Sequence, residues 1–204
     1  MTSYNPQIHQ RRSIRLKGYD YSQPGAYFIT LVTWQRDCLF GTLADGKMQL
    51  SALGKIVQDE WMRSIDIRKD ILIYEDEYII MPNHLHGIVW IVRLDDNQPV
   101  GADGVRPNKG ASIAPLQEKG ACHAPLQRKP RSLSSFVAGF KAAVTSRAEN
   151  ELNMTGIWLR NYYEHIVRNN FEYKQIIQYI ETNPLKWQED QLHSTINANL
   201  INQE

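Results

Sequence analysis

Apolar positions along this chain follow two rhythms. The run AYFITLVTW (26–34) is β-branched and aromatic, follows the breaker pair Pro24-Gly25, and predicts a central strand. In SALGKIVQDEWMRSI (51–65) the spacing lengthens. Leu53, Ile56, Val57, Trp61 and Ile65 make the apolar stripe of a helix whose N-cap is Ser51. DILIYEDEYIIM (70–81) and HLHGIVWIVR (84–93) return to the strand rhythm, and the turn chemistry of Pro82-Asn83 between them predicts an antiparallel hairpin. A second helical stripe, Phe136, Val137, Phe140 and Val144, runs through 131–150 behind a cap at Ser132 or Ser134. GIWLRNYYEHIVR (156–168) reads as a fourth strand. NNFEYKQIIQYIETNPLKW (169–187) reads as a third helix, capped by Asn169 or Asn170 and stopped before Pro184.

Residues 94–130 have neither rhythm. They are rich in Gly, Pro, Asp, Asn and Gln and contain a ten-residue duplication, GASIAPLQEK then GACHAPLQRK, which is too short for a solenoid and reads as a flexible insertion. The chain therefore divides into a basic N-terminal arm (1–25), a domain over 26–187 interrupted by the insertion, and a polar tail (188–204). The element order is strand, helix, strand, strand, helix, strand, helix. It predicts an α+β domain: a ferredoxin-like split βαβ with a four-stranded antiparallel sheet, helices on one face, and a further C-terminal helix. The other sheet face is then free for a ligand.

Composition narrows the classes. At 204 residues the chain suffices for one good core or one domain with an insertion. A net charge of +1 neither demands nor excludes nucleic acid, but the basic residues cluster, at RRSIRLK (11–17), at RKPR (128–131), and at Lys141 with Arg147. Cys38 and Cys122 lack metal-type spacing and are expected as free thiols in a reducing compartment. No run approaches the roughly 18 apolar residues of a membrane span, and the first residues lack the apolar core of a signal peptide, so the expected location is the cytoplasm.

Candidate chemistry starts in MPNHLHG (81–87). Residues alternate across a strand, so His84 and His86 share one face while Leu85 takes the other. Their Cα atoms are roughly 6.5 to 7 Å apart, within reach of one cation, although imidazoles bonded to neighbouring strands would show the same pattern. On the last helix, at about 100° per residue, Tyr173, Ile176, Ile177 and Ile180 form the packing stripe. Tyr179 lies roughly 120° from its centre, with Asn183 one turn further on the same side. Tyr173 reads as a core anchor, whereas packing does not account for Tyr179 and Asn183.

Taken together, these segments resemble the HUH single-tyrosine transposases, in particular the REP-associated tyrosine transposases. RSIRLKGYDYSQPGAYFITLVTWQR resembles that family's N-terminal segment and first strand, and MPNHLHGIV its His-hydrophobic-His motif. SLSSFVAGFKAAVT resembles its second helix, and WLRNYYEHIVRNNFEYKQIIQYIETNPLKW its closing strand and tyrosine helix. The insertion is not part of that pattern. The resemblance implies that His84 and His86 bind a divalent metal, Mg²⁺ or Mn²⁺, and that Tyr179 is the nucleophile. Asn183 stands where some relatives supply a third ligand, usually a glutamine with a longer arm. His165 would support the ligands or touch DNA, or would be a strand histidine satisfied by a neighbour.

The implied reaction is phosphoryl transfer on single-stranded or hairpin DNA through a 5′-phosphotyrosine, in transposition or in processing of repeats. No ATP is required, which agrees with the lack of a GxxxxGK[ST] loop. Arg11, Arg12, Arg15 and Lys17 are the phosphate candidates, followed by Lys141 and Arg147. Tyr19 and Tyr21 would stack on bases or pin the arm. No membrane partner is expected, and relatives act as monomers or homodimers. Three rival readings remain. A relaxase-type enzyme would use Tyr4, Tyr19 or Tyr21. A non-catalytic module would bind single-stranded nucleic acid through the open sheet face. A metal-dependent hydrolase would cut without a tyrosine intermediate.

Overall fold

The computed structural model describes residues 16, 18–92, 129–190 and 192. Arg11, Arg12, Arg15, Lys17, Cys122, His123 and the duplicated insertion lie outside these described residues. Strand β1 (Gly25–Val32) is central, with β6 (His84–Ile91) on one side and β7 (Tyr163–Val167) on the other, both antiparallel. Strands β4 (Ile71–Leu72) and β5 (Tyr78–Met81) both pair with the outer edge of β6. The sheet is thus the expected four-stranded split βαβ arrangement, with the 70–81 strand broken in two. A 3-10 turn at Glu75–Glu77 makes the break and turns Glu77 inward, where it is fully buried.

A hairpin of β2 (Gly41–Ala44) and β3 (Lys47–Leu50) was not expected from the pattern. Its signal is present in Asp45-Gly46, both at positive φ (51° and 70°), as a tight two-residue hairpin turn requires.

Helices α1 (Ala52–Ile67) and α2 (Leu133–Leu152) pack on one face, against Tyr27, Ile29, Leu31, Leu85 and Val89. Ser51 and Ser132 cap them, accepting from the amides of Gly54 and Ser135. The glycine that closes MPNHLHG is explained here. Trp61 of α1 lies so close to Gly87 that a Cβ would stand 2.6 Å from its ring.

Helix α3 (Asn170–Thr182), capped by Asn169, packs on the opposite face. Tyr173, Ile176, Ile177 and Ile180 meet Phe28, Ile88, Trp90 and Val167 there. The buried Glu77 carboxylate ties the helix down, because the Tyr173 hydroxyl and the Trp90 indole N–H each donate to it at 2.6 Å. That face is therefore only partly open: α3 covers the Trp90 end and leaves the histidine end accessible.

The segment 156–168 is a strand only over its last third. An isolated bridge joins Thr33 to Trp158, and the Lys141 ammonium takes the carbonyls of Leu159 (2.8 Å) and Asn161 (3.2 Å) in place of a strand partner. The third helix stops at Thr182, and Asn183–Glu189 continues as a 3-10 helix with Pro184 at its start. Tyr19 and Tyr21 pin the arm. The Tyr19 hydroxyl pairs with that of Tyr27 at 3.1 Å, and Tyr21 accepts the Leu16 amide and packs edge-on to Tyr19.

Candidate functional site

The β1–β6 register places Thr30 opposite His86 and Val32 opposite His84, so the α3 face carries Phe28, Thr30, His84 and His86 side by side. Both imidazoles are buried, with rings 4.4 Å apart. Pro82 and Asn83 form the turn that delivers them: Thr33 bonds to the Asn83 carbonyl through its amide (2.9 Å) and its hydroxyl (3.0 Å). Phe28 stacks on His86 at 5.4 Å.

The protein holds one nitrogen of His84 and both nitrogens of His86. His84 Nδ1–H donates to Asn83 Oδ1 at 2.8 Å, which leaves Nε2 as a lone pair with no hydrogen-bond partner although it is buried. His86 Nδ1 bonds Thr30 Oγ1 at 2.8 Å, and its Nε2 meets the Tyr179 hydroxyl at 3.1 Å. Tyr179 leaves the packed stripe of α3 as expected, half-exposed, and stands edge-on to Phe28.

The chain after α3 completes the group. The 3-10 helix turns back over the histidines, placing the Trp187 ring 5.9 Å from that of His84 and an Asp190 oxygen 4.0 Å from His84 Nε2. One ligand atom from each of His84, His86 and Asp190 lies within 4.8 Å of the others, a spacing suited to a single cation. The unpaired Nε2 of His84 and the adjacent carboxylate fit a divalent metal: a buried lone pair without a donor is costly, and a cation satisfies it. Asn183 is buried beside this group and donates to the Asp190 carboxylate at 3.3 Å. The tail assigned to 188–204 thus begins inside the site.

Burial holds both rings neutral. His84 is drawn down to about 3, and His86 lies well below the usual imidazole value through burial and its neighbour His84, with Asp190 pulling the other way. Burial raises the Tyr179 phenol and Asp190 raises it further, while Asn183 acts in the opposite sense. Linkage follows from His84. In the unfolded chain it titrates near 6.5, in the folded chain near 3, so between these values the unfolded state binds a proton that the folded state refuses. Stability contributed above pH 6.5 is lost as pH falls through that window, at up to about 1.4 kcal/mol per pH unit. Thermal melts of metal-free protein from pH 7 to 4 should show this slope, reduced in His84→Gln.

A cleft of about 770 Å³ opens from this group, lined by Thr30, His86, Tyr163, His165, Tyr179 and Asp190 among others. His165 lies further along it, 3.4 Å from Glu172 and opposite Phe28 in the sheet. Lys141 and Arg147 are not brought to the cleft. Both sit on α2, the helix on the other sheet face. Arg147 is engaged by Glu60 (3.0 Å) and Glu151 (2.8 Å), and Lys141 by the carbonyls described above and the Trp158 ring. Burial draws the Lys141 ammonium down to about 8. Asp190 and Asn83 carried no functional reading in the sequence. Asp190 sits in an aperiodic polar stretch without any signal, and Asn83 read only as turn chemistry.

A protein of Haemophilus influenzae described as uncharacterized is 41% identical over 192 residues, covering 94% of this chain and 98% of that one, and the chain belongs to its family. No protein-family model matches the chain. A solved structure similar to it is a REP-associated tyrosine transposase bound to a REP hairpin, at 18% identity and a TM-score of 0.49, covering 92% of this chain and 74% of that one. Among the described residues, no helix is long and apolar enough to cross a membrane.

Proposed function

We propose that this chain is a metal-dependent single-strand DNA endonuclease and strand transferase of the HUH tyrosine transposase kind, acting on REP-like hairpin DNA in transposition or repeat processing. One observation carries the reading. The Tyr179 hydroxyl lies 3.1 Å from His86, beside the unpaired nitrogen of His84 and the Asp190 carboxylate. The sequence therefore unites, from strand and helix positions 93 residues apart, the two segments on which the family resemblance rests.

The residues that would hold Mg²⁺ or Mn²⁺ are His84 and His86 through Nε2 and Asp190 through its carboxylate, with Asn183 orienting that carboxylate or adding its own oxygen. When bound, the cation supplies positive charge for the phosphate oxygens and the departing 3′-oxygen. Tyr179 Oη forms a bond to phosphorus, the bond from phosphorus to the 3′-oxygen breaks, and the products are a 5′-phosphotyrosine and a 3′-hydroxyl. The phenol proton passes to cleft water and the 3′-oxygen takes one back, so the step consumes no water and no ATP.

The His86 Nε2 lone pair serves one partner at a time. With that lone pair given to a cation, the Tyr179 hydroxyl would lose its bond to His86 and would face the cleft. Phosphate contacts outside the cleft fall to the arm residues Arg11, Arg12, Arg15 and Lys17, since Lys141 and Arg147 are spent on internal partners. His165, in the cleft, is a candidate DNA contact.

The test is incubation with an end-labelled single-stranded hairpin oligonucleotide in Mn²⁺ or in EDTA, resolved on a denaturing gel. A protein–DNA adduct in Mn²⁺ alone is expected. Binding without cleavage, indifferent to EDTA, would establish the non-catalytic module instead.

A further inference from the structure

We infer that Asn83 is a positioning residue that sets the His84 ring and docks the chain segment bearing Asp190. The inference rests on the metal reading of the site for its consequence, but not for its geometry. Asn83 is fully buried in the turn between β5 and β6, and its three polar contacts go to three separate parts of the chain. Nδ2 donates to the Arg36 carbonyl at 2.9 Å and to the Leu192 carbonyl at 2.7 Å, and Oδ1 faces His84 Nδ1 at 2.8 Å.

The two carbonyls fix the amide. A carbonyl oxygen only accepts, so the atom between them is the NH₂ group, and the atom facing His84 is the oxygen. An amide oxygen only accepts in turn, which puts the His84 proton on Nδ1 and its lone pair on Nε2, the buried nitrogen that has no partner. One side chain thereby decides which tautomer faces the site.

The same amide holds the tail. Leu192 is bonded through its carbonyl to Asn83 and through its amide to Asp190 Oδ1 at 2.7 Å. Asp190 Oδ2 is then the oxygen left facing His84, at 4.0 Å, with Asn183 on its other side. A chain from Asn83 through Leu192 to Asp190 therefore places the carboxylate. The Arg36 bond adds a third anchor: Gln35 and Arg36 both sit in left-handed backbone (φ 54° and 62°), so the loop after β1 is held in a strained shape against Asn83.

Two variants separate the halves. Asn83→Ala removes both. Asn83→Asp keeps an acceptor for His84 but replaces the donor with an oxygen that repels the Leu192 and Arg36 carbonyls. In metal-free full-length protein, hydrogen exchange of the amides in 187–192 is expected to quicken at least about tenfold in both variants, with β1 and β6 unchanged. Mn²⁺ affinity, by calorimetry, should fall at least about tenfold in Asn83→Ala and less in Asn83→Asp.

Unchanged exchange of the tail in both variants would overturn the inference. So would Mn²⁺ affinity within twofold of wild type in Asn83→Ala when wild-type binding depends on His84. If wild type shows no His84-dependent Mn²⁺ binding, the metal reading fails by itself, and the exchange measurement still decides the role of Asn83. Should the alanine variant not fold, Asn83→Asp carries the exchange test alone.

Discussion

Tyr179→Phe is expected to abolish the covalent DNA adduct and to lower strand cleavage on the order of a thousandfold or more, as loss of the nucleophile does in covalent mechanisms. The expectation is specific because the substitution removes little else. The phenyl ring keeps its edge contact with Phe28 at 6.1 Å and its position on α3, whose grip on the sheet comes from Tyr173, Ile176, Ile177 and Ile180. The hydroxyl's bond to His86 Nε2 and its interaction with Asn183 are lost, each worth about 1 kcal/mol in net terms. Melting temperature should move by only a few degrees.

Mn²⁺ binding should not weaken and is expected to tighten, by up to about tenfold, because the hydroxyl no longer competes with the cation for the His86 lone pair. A denaturing gel for the adduct, a melt for the fold and calorimetry for the metal give three readings with different signs. Cleavage that survives without an adduct would mean a hydrolase. An adduct that survives would move the nucleophile elsewhere. The arm tyrosines are poorly placed for that, since Tyr19 and Tyr21 pack with Tyr27 against the α1–α2 core.

Much of this site was legible because it obeys local rules. Period-two alternation put His84 and His86 on one face, and helical periodicity separated Tyr179 from the stripe that packs. The caps Ser51, Ser132 and Asn169 fell where side-chain oxygens precede apolar stripes. What was hidden depends on chain reversals that no periodicity records. The 3-10 helix from Asn183 to Glu189 turns Asp190 back over the histidines, and the nearest residue with a metal-ligand signal in the sequence, Asn183, proves to bond that carboxylate.

Glu77 falls within the strand predicted over 70–81, yet it interrupts that strand and fastens α3 through Tyr173 and Trp90. Lys141 and Arg147 show the converse, since the sequence reveals the cations and not their acceptors. A cation on a helix surface looks free until its acceptors are known, and here those acceptors are carbonyls at 159 and 161 and the carboxylates of Glu60 and Glu151. The β2–β3 hairpin was missed for a different reason. Its four-residue strands are too short to show alternation, and only the Asp45-Gly46 turn announces it.

The metal ligands should separate cleanly from the nucleophile when each is removed. His84→Ala is expected to lower Mn²⁺ affinity by about a hundredfold or more, since it deletes a proposed ligand, whereas changes to groups behind ligands cost about ten- to a hundredfold. Adduct formation should vanish at metal concentrations that saturate wild type and return in part at much higher ones, a recovery that Tyr179→Phe cannot show. Asp190→Asn should fall next in order, because the amide keeps an oxygen near His84 Nε2 but loses the charge that offsets the cation. It should also lower the Tyr179 pKa, because the Asp190 charge is one of the two causes holding that phenol up.

Asn183→Ala should cost least if its part is to hold Asp190, and as much as Asp190→Asn if its oxygen is itself a ligand. Calorimetric titration of the three variants with Mn²⁺ ranks them directly. Equal and negligible effects across all three would remove the cation from this site, and with it the source of positive charge that a half-exposed phenol of raised pKa needs to attack a phosphodiester at neutral pH.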